Sequence, residues 1–247
     1  MIENHYAVMR FQKYKLKDLG KIERHNNERK HLKNREHKEL EHLNMTFKHP
    51  NKTLTQQIRE KIKEIKEKTG KTTRKDAAVI AEFIFTFSPE MTEIILKRKK
   101  EWIMSNAEWI KENFEKNGAK LLRLDLHMDE KTPHLHSFIQ MTDERGMFCA
   151  SKFFGKKKQL EDLQSSYAEK MKKFGLERGR SKKETKAKHQ TLNEYYKQKN
   201  EQLKNDIKKI EEKQEEINQI KETILEKEDE KEEIKRIDSE LADDILI

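Results

Sequence analysis

Residues 121–141, LLRLDLHMDEKTPHLHSFIQM, hold three histidines at spacings that let their rings meet. Apolar and polar residues alternate before and after a five-residue connection, DEKTP, which reads as two strands over 121–128 and 134–141. Alternation places Arg123, Asp125 and His127 on one face of the first strand and Leu122, Leu124, Leu126 and Met128 on the other. His134 and His136 share a face of the second strand, and the turn lets His127 lie opposite or diagonal to them. A single strand histidine is more commonly a half-buried polar residue. Three on one face point to three nitrogen ligands for a metal ion, with open positions for water or a substrate oxygen, so that a phosphodiester can be neutralised and polarised. Glu130, in the connection, can orient a water, complete the metal shell or act as a general base. Asp129 reads as a turn-former.

These strands need a domain to hold them. The chain has 247 residues, of which only 33% are hydrophobic and 41% charged, with 55 Lys and Arg against 46 Asp and Glu. The net charge of +9 points toward a polyanion. One cysteine, Cys149, excludes an internal disulfide framework and a Cys-rich zinc module, so a bound metal must be held by histidine and carboxylate. No run approaches the roughly 18 apolar residues of a spanning helix, and MIENHYAVMR lacks the apolar block of a signal peptide. The expectation is a soluble, cytoplasmic protein.

Charge and aromatics divide the chain. All 11 Phe, both Trp, all 7 Gly and all 3 Pro precede residue 180, and residues 197–247 hold 11 Lys and Arg against 17 Asp and Glu, a net of −6 that leaves +15 on residues 1–196. The expected organisation is a folded domain over 1–190 and an acidic helical tail over 191–247. In the tail, Leu203, Ile207, Ile210, Ile217, Ile220, Ile224, Ile234, Ile237 and Leu241 recur mostly every three or four residues, with polar Gln214, Lys227 and Lys231 interrupting the seam. Both a solvated long helix and a coiled coil that pairs two copies fit this pattern.

In the first part, strands are expected over 6–11, 40–47 and 77–87, the last being apolar enough for a buried central strand, with an Ala-rich helical start as the competing reading. Helices are expected over 54–69, ended by Gly70; over 90–117, with Ile94, Ile95, Trp102, Ile103, Trp109 and Phe114 on the apolar side and Gly118 at the end; and over 156–174. Residues 15–39 read as helix and loop broken at Gly20. The fold class is α+β, an antiparallel sheet flanked by helices and followed by a long C-terminal helix or coiled coil.

His127-Met128-Asp129-Glu130-Lys131-Thr132-Pro133-His134-Leu135-His136 resembles the HxDExTPHxH motif of the MobV (Mob/Pre) plasmid mobilisation relaxases, a branch of the HUH endonucleases. His25-Asn26-Asn27-Glu28-Arg29 resembles the family's His-Asn-x-Arg motif with one added residue, and Glu41-His42-Leu43-Asn44 its His-Leu-Asn segment. Thr73-Arg74-Lys75-Asp76-Ala77, Lys152-Phe153-Phe154-Gly155, Leu176-Glu177-Arg178-Gly179 and Glu184-Thr185-Lys186-Ala187-Lys188-His189 follow in the family's order, so the likeness covers roughly residues 1–196.

The resemblance implies an HUH relaxase fold and a strand transferase. Such an enzyme binds a hairpin-bearing origin of transfer, cuts one strand with a divalent ion present, stays joined to the 5′ phosphate and later religates. It implies Mn²⁺ or Mg²⁺ on His127, His134 and His136, with Glu130 as the nearby acid and His25 as the nucleophile. A histidine nucleophile must be neutral at the attacking nitrogen, and Glu23, Glu28 or Glu130 could hydrogen-bond the other nitrogen. A tyrosine nucleophile, Tyr6 or Tyr14, would have to lose a proton of pKa near 10. Expected DNA contacts are Arg29, Arg74, Lys75, Lys152, Arg178 and Lys186, within basic runs that also include Lys30, Lys33, Arg35 and Lys38, with base stacking on Phe153 or Phe154. Two other readings remain: a rolling-circle replication initiator, which would use a tyrosine, and a non-catalytic DNA-binding coiled-coil protein.

Overall fold

The structure is a computed structural model that describes residues 5–28, 35–48, 51–180 and 192–245; the side chains of His25, Lys48 and several tail residues, among them Ile237 and Leu241, lie outside the described set. Its contacts divide the chain into two units, Met1–Arg180 and Ser181–Ile247.

In the first unit, the described strands β1 (Tyr6–Lys15), β2 (Met45–Lys48), β3 (Ala78–Phe87), β4 (Lys120–His127), β5 (His134–Gln140) and β6 (Glu177–Arg178) form one sheet in the order β2-β4-β5-β3-β1-β6. Every pairing is antiparallel except the two-residue parallel contact of β6 with β1, so the sheet is mixed at one edge. The central-strand reading of 77–87 holds. Ala81, Phe83, Phe85 and Phe87 of β3 point into a large core with Trp102, Trp109, Phe114, Tyr167 and Phe174, in which Phe83 and Phe114 meet edge-on at 5.0 Å. That core is covered by α3 (Thr92–Lys97), α4 (Lys99–Asn113), α5 (Ala150–Phe154) and α6 (Lys157–Met171).

On the opposite face, among the described residues, two further helices pack against the sheet. There α1 (Leu19–Asn27) and α2 (Leu54–Thr69) bury Leu19, Ile22, Leu54 and Ile58 against Val79, Ile80, Leu122 and Phe138. α2 is well specified locally: Thr53 accepts from the Gln56 amide at 3.1 Å, Gln56 accepts from the Thr53 amide at 2.8 Å, and Gly70 ends the helix in the left-handed region.

Several boundaries differ from the sequence reading. The first strand runs on to Lys15, and Gly20 sits inside α1 instead of breaking it. Residues 40–47 are not one strand: Lys38–Leu43 is a 3₁₀ helix, and only Met45–Lys48 pairs with β4. Asn44 makes the transition, its Oδ1 accepting the Met128 amide at 2.6 Å. The single helix expected over 90–117 is broken at Arg98, whose guanidinium lies 4.5 Å from the Phe174 ring and donates to the Lys173 carbonyl at 2.8 Å. The break turns Ile94 out to 49% exposure while Ile95 and Trp102 stay buried. Leu122 departs from its expected face because a bulge interrupts β4 between Leu121 and Arg123, which pair with Ile139 and Phe138.

The second unit is α7 (Leu192–Ile245), 54 residues and so about 80 Å long. Along it Leu203, Ile207, Ile210, Ile217, Ile220, Ile224 and Ile234 are exposed. No helix among the described residues is long and apolar enough to cross a membrane.

Candidate metal and strand-transfer site

The bulge at Leu122 sets the register that matters. Beyond it Leu124, Leu126 and Met128 enter the large core, while Asp125 stands opposite His136 and His127 opposite His134. The rings of His127, His134 and His136 therefore converge, with centroids 5.3 Å (His127–His134), 4.6 Å (His127–His136) and 4.9 Å (His134–His136) apart. One nitrogen from each lies within 4.8 Å of the others, so the three can hold one metal ion. All three are buried, at 2%, 8% and 4% exposure.

Two rings have their tautomers set by their neighbours. His134 Nδ1 lies 2.9 Å from the Thr132 carbonyl, and His136 Nδ1 lies 2.6 Å from Glu82 Oε1. Carbonyl and carboxylate oxygens only accept, so each Nδ1 carries the proton and the lone pair of the neutral ring sits on Nε2. Glu82 projects from β3 on the same face and was not singled out by its sequence, where it is one acid in the apolar run AVIAEFIFTF. Only the strand period, applied to β3 once its pairing with β5 is known, brings it diagonally to His136.

The connection carrying Glu130 is pinned around its length. Asp129 is fully buried and accepts from Arg35 Nε at 2.6 Å, its carbonyl accepts from the His37 amide, and Thr86 Oγ donates to the Pro133 carbonyl at 2.9 Å. Asp129 is thus an interior ion-pair partner, a role a turn-former assignment missed. Glu130 Oε1 comes within 3.7 Å of His134 Nε2.

Tyr14 donates its hydroxyl to Glu82 Oε2 at 2.9 Å, and burial together with the Glu82 charge raises its pKa well above the usual value of 10. A phenol held in this way is a poor nucleophile. Glu23 accepts from the Leu54 amide and from Thr55 Oγ, so both of its oxygens are engaged at the start of α2. His25 lies on α1 with its side chain outside the described residues, as are Arg29, Lys30, Lys33 and Lys186.

The remaining basic residues are spread. Arg74 and Lys75 are exposed and precede β3, whose first residue, Ala78, lies about 20 Å along the strand from Ile84, the partner of His136. Arg178 is exposed on edge strand β6, level with Ala7 and Phe87 at the triad end of the sheet. Lys152 donates to the Asn117 carbonyl and pairs with Glu144, beside the large core. Phe153 and Phe154 are core residues, Phe154 stacking on Phe11 at 4.5 Å, which removes them as base-stacking surfaces. Arg10, which sequence reading passed over as part of a strand, is exposed and pairs with Ile84, itself opposite His136, on the imidazole face.

A histidine pair flanking one apolar residue on a central strand, completed by a third histidine from the neighbouring strand, places the domain in the HUH class. The family model described as plasmid recombination enzyme (Mob/Pre) matches residues 3–197, and the chain belongs to that family. A 65 kDa protein of Zymomonas mobilis is 32% identical over 82% of this chain and 34% of its own length, and a plasmid recombination enzyme of Bacillus thuringiensis is 26% identical over 70% of this chain and 39% of its own. The chain thus spans about a third of the length of these curated relatives. Among solved structures, the MobM relaxase domain bound to plasmid pMV158 oriT DNA in a Mn-bound crystal is similar at 28% identity, with a TM-score of 0.66 over 78% of this chain and 99% of that one. A second MobM complex, with 26 nucleotides of the same oriT, gives a TM-score of 0.59 at 26% identity.

Proposed function

We propose that the chain is a plasmid mobilisation relaxase, nicking one strand at an origin of transfer, remaining joined to the 5′ phosphate and later religating it. The observation that supports this best is the convergence of His127, His134 and His136, two of them with lone pairs fixed on Nε2. A three-nitrogen donor set suits a first-row transition ion such as Mn²⁺ better than Mg²⁺, which prefers oxygen ligands. When bound there, the ion supplies charge to neutralise a phosphodiester oxygen. Mn²⁺ in the similar MobM domain agrees with this donor set.

His25 is the nucleophile in this reading. Its neutral nitrogen attacks phosphorus, a P–N bond forms, the P–O3′ bond breaks, and the departing 3′ oxygen takes up a proton; the reverse displacement by that 3′ hydroxyl rejoins the strand. Glu130, beside His134, is the group placed to carry or orient a proton near this centre. Tyr14 bonds Glu82 and serves the ligand set instead of the phosphate.

DNA phosphates are met by Arg10 and Arg178 at the triad end and by Arg74 and Lys75 at the far end, with Arg29 and Lys186 completing the set; Lys152, committed to Glu144 and Asn117, is left out of it. Residues 1–190 form the relaxase domain, and residues 191–247 form an acidic helical tail whose apolar seam pairs two copies of the chain. The site of action is the cytoplasm, where plasmid DNA is found. The test is incubation with a supercoiled plasmid carrying the cognate origin, with and without Mn²⁺, followed by mapping of the nick and the attached residue. A Mn²⁺-dependent, strand-specific nick with a 5′ adduct on His25 is expected; DNA binding unchanged by EDTA with no nicked product would sink the proposal.

A further inference from the structure

The helix that carries His25 must be held in a fixed relation to the strands that carry the imidazoles, and buried Arg123 connects the two. Its Nη1 donates to Asn27 Oδ1 at 2.8 Å, on the last residue of α1 and two positions beyond His25. Its Nε lies 2.7 Å from Asp125 Oδ2 on its own strand. Asp125 Oδ1 in turn accepts from Thr46 Oγ of β2 at 2.7 Å, and Asp125 stands opposite His136 in the ladder. Strand alternation with Asp125 and His127 puts Arg123 on this face, and the bulge turns Leu122 to it as well. At its other side α1 is fastened by Glu23 to the start of α2.

We propose that Arg123 is a positioning residue that couples the C-terminal end of the His25 helix to the strand bearing His127, through Asn27 on one side and Asp125 on the other. Arg123 acts through Asn27 and Asp125. Its guanidinium suits the task, because it donates a directed hydrogen bond to the Asn27 amide oxygen while its charge pairs with the Asp125 carboxylate. An error of about 1 Å in a nucleophile's placement can cost on the order of 100-fold in rate, so loosening this link should act on turnover rather than on binding. The catalytic part of the inference rests on the proposed role of His25.

The test uses the full chain with Asn27→Ala, Asn27→Asp and Arg123→Lys. Asn27→Ala is the informative variant because it leaves Asp125 its cationic partner. Three readouts are compared: amide hydrogen exchange over residues 22–28, Mn²⁺ affinity by calorimetry, and kcat and KM for nicking of the cognate-origin plasmid. Asn27→Ala is expected to speed exchange in that segment at least 10-fold and to lower kcat at least 10-fold, with Mn²⁺ affinity and KM within about twofold. Asn27→Asp, which keeps an acceptor for Arg123, should restore both, and Arg123→Lys should fall between. Unchanged exchange or unchanged kcat in Asn27→Ala overturns the proposal, as does a loss of Mn²⁺ affinity equal to the loss of rate. His25→Ala separates the two ideas: if it still forms the adduct while Asn27→Ala loosens α1 and slows nicking, the nucleophile assignment fails and the coupling stands.

Discussion

Glu82 meets His136 with one oxygen and Tyr14 with the other, so one buried carboxylate both orients an imidazole of the triad and holds a phenol protonated. A carboxylate in that position fixes the ring's orientation and tautomer, and such partners typically contribute about 10–100-fold to metal affinity. Glu82→Gln is therefore expected to weaken Mn²⁺ binding by about that factor in calorimetry; unchanged affinity would show that the carboxylate does not support the ligand. Tyr14→Phe removes a hydroxyl that donates to Glu82 and should leave covalent adduct formation intact. Loss of the adduct with Mn²⁺ binding retained would instead return Tyr14 to the role of nucleophile. The histidines were legible in the sequence because three of them fall in one ten-residue stretch with strand alternation on both sides. Glu82 was not, because its partner is 54 residues away and only the β3–β5 register brings them together.

Among the elements, the β4–β5 pair was read nearly to its ends, and so was β3, because long alternating or apolar runs identify a strand without help from elsewhere. What sequence period cannot reveal is a bulge. The extra residue at Leu122 redirects one side chain and keeps Arg123, Asp125 and His127 on the imidazole face, and its signature exists only in the pairing. The break at Arg98 is similarly tertiary, since it depends on the Phe174 ring and the Lys173 carbonyl. Gly118, two residues before β4, has φ +93°, and a Cβ there would collide with the Asp143 carbonyl carbon. Gly118→Ala is therefore expected to destabilise the domain by about 1–3 kcal/mol in urea unfolding, with a shift of less than 0.5 kcal/mol contradicting the close approach. On the imidazole face, where Arg10 is exposed, Arg10→Ala should weaken binding of single-stranded origin DNA and reduce the slope of log affinity against log salt by about 0.7, the value for one phosphate contact. An unchanged slope would remove Arg10 from the DNA track.

For the molecule as a whole, charge is partitioned as the composition implied, a basic first part and an acidic helix, while the places where the described basic side chains fall on the sheet had to be read from the strand pairing. Tyr14 and Tyr167 carry raised pKa values, in both cases chiefly through burial. Their neutral forms belong to the fold, so the stability they contribute is complete below the unfolded pKa near 10 and is lost as pH rises beyond it. Tm should hold between pH 7 and 9 and fall above about 10, and replacing Tyr14 by Phe should make that fall shallower. The most direct test of the whole account is Mn²⁺ titration of the purified chain, followed by anomalous diffraction at the manganese edge. One ion per chain, ligated by His127, His134 and His136 and lost on His134→Ala, is the expected result. No uptake of Mn²⁺, or an ion bound at a site that leaves these three rings unligated, would contradict it.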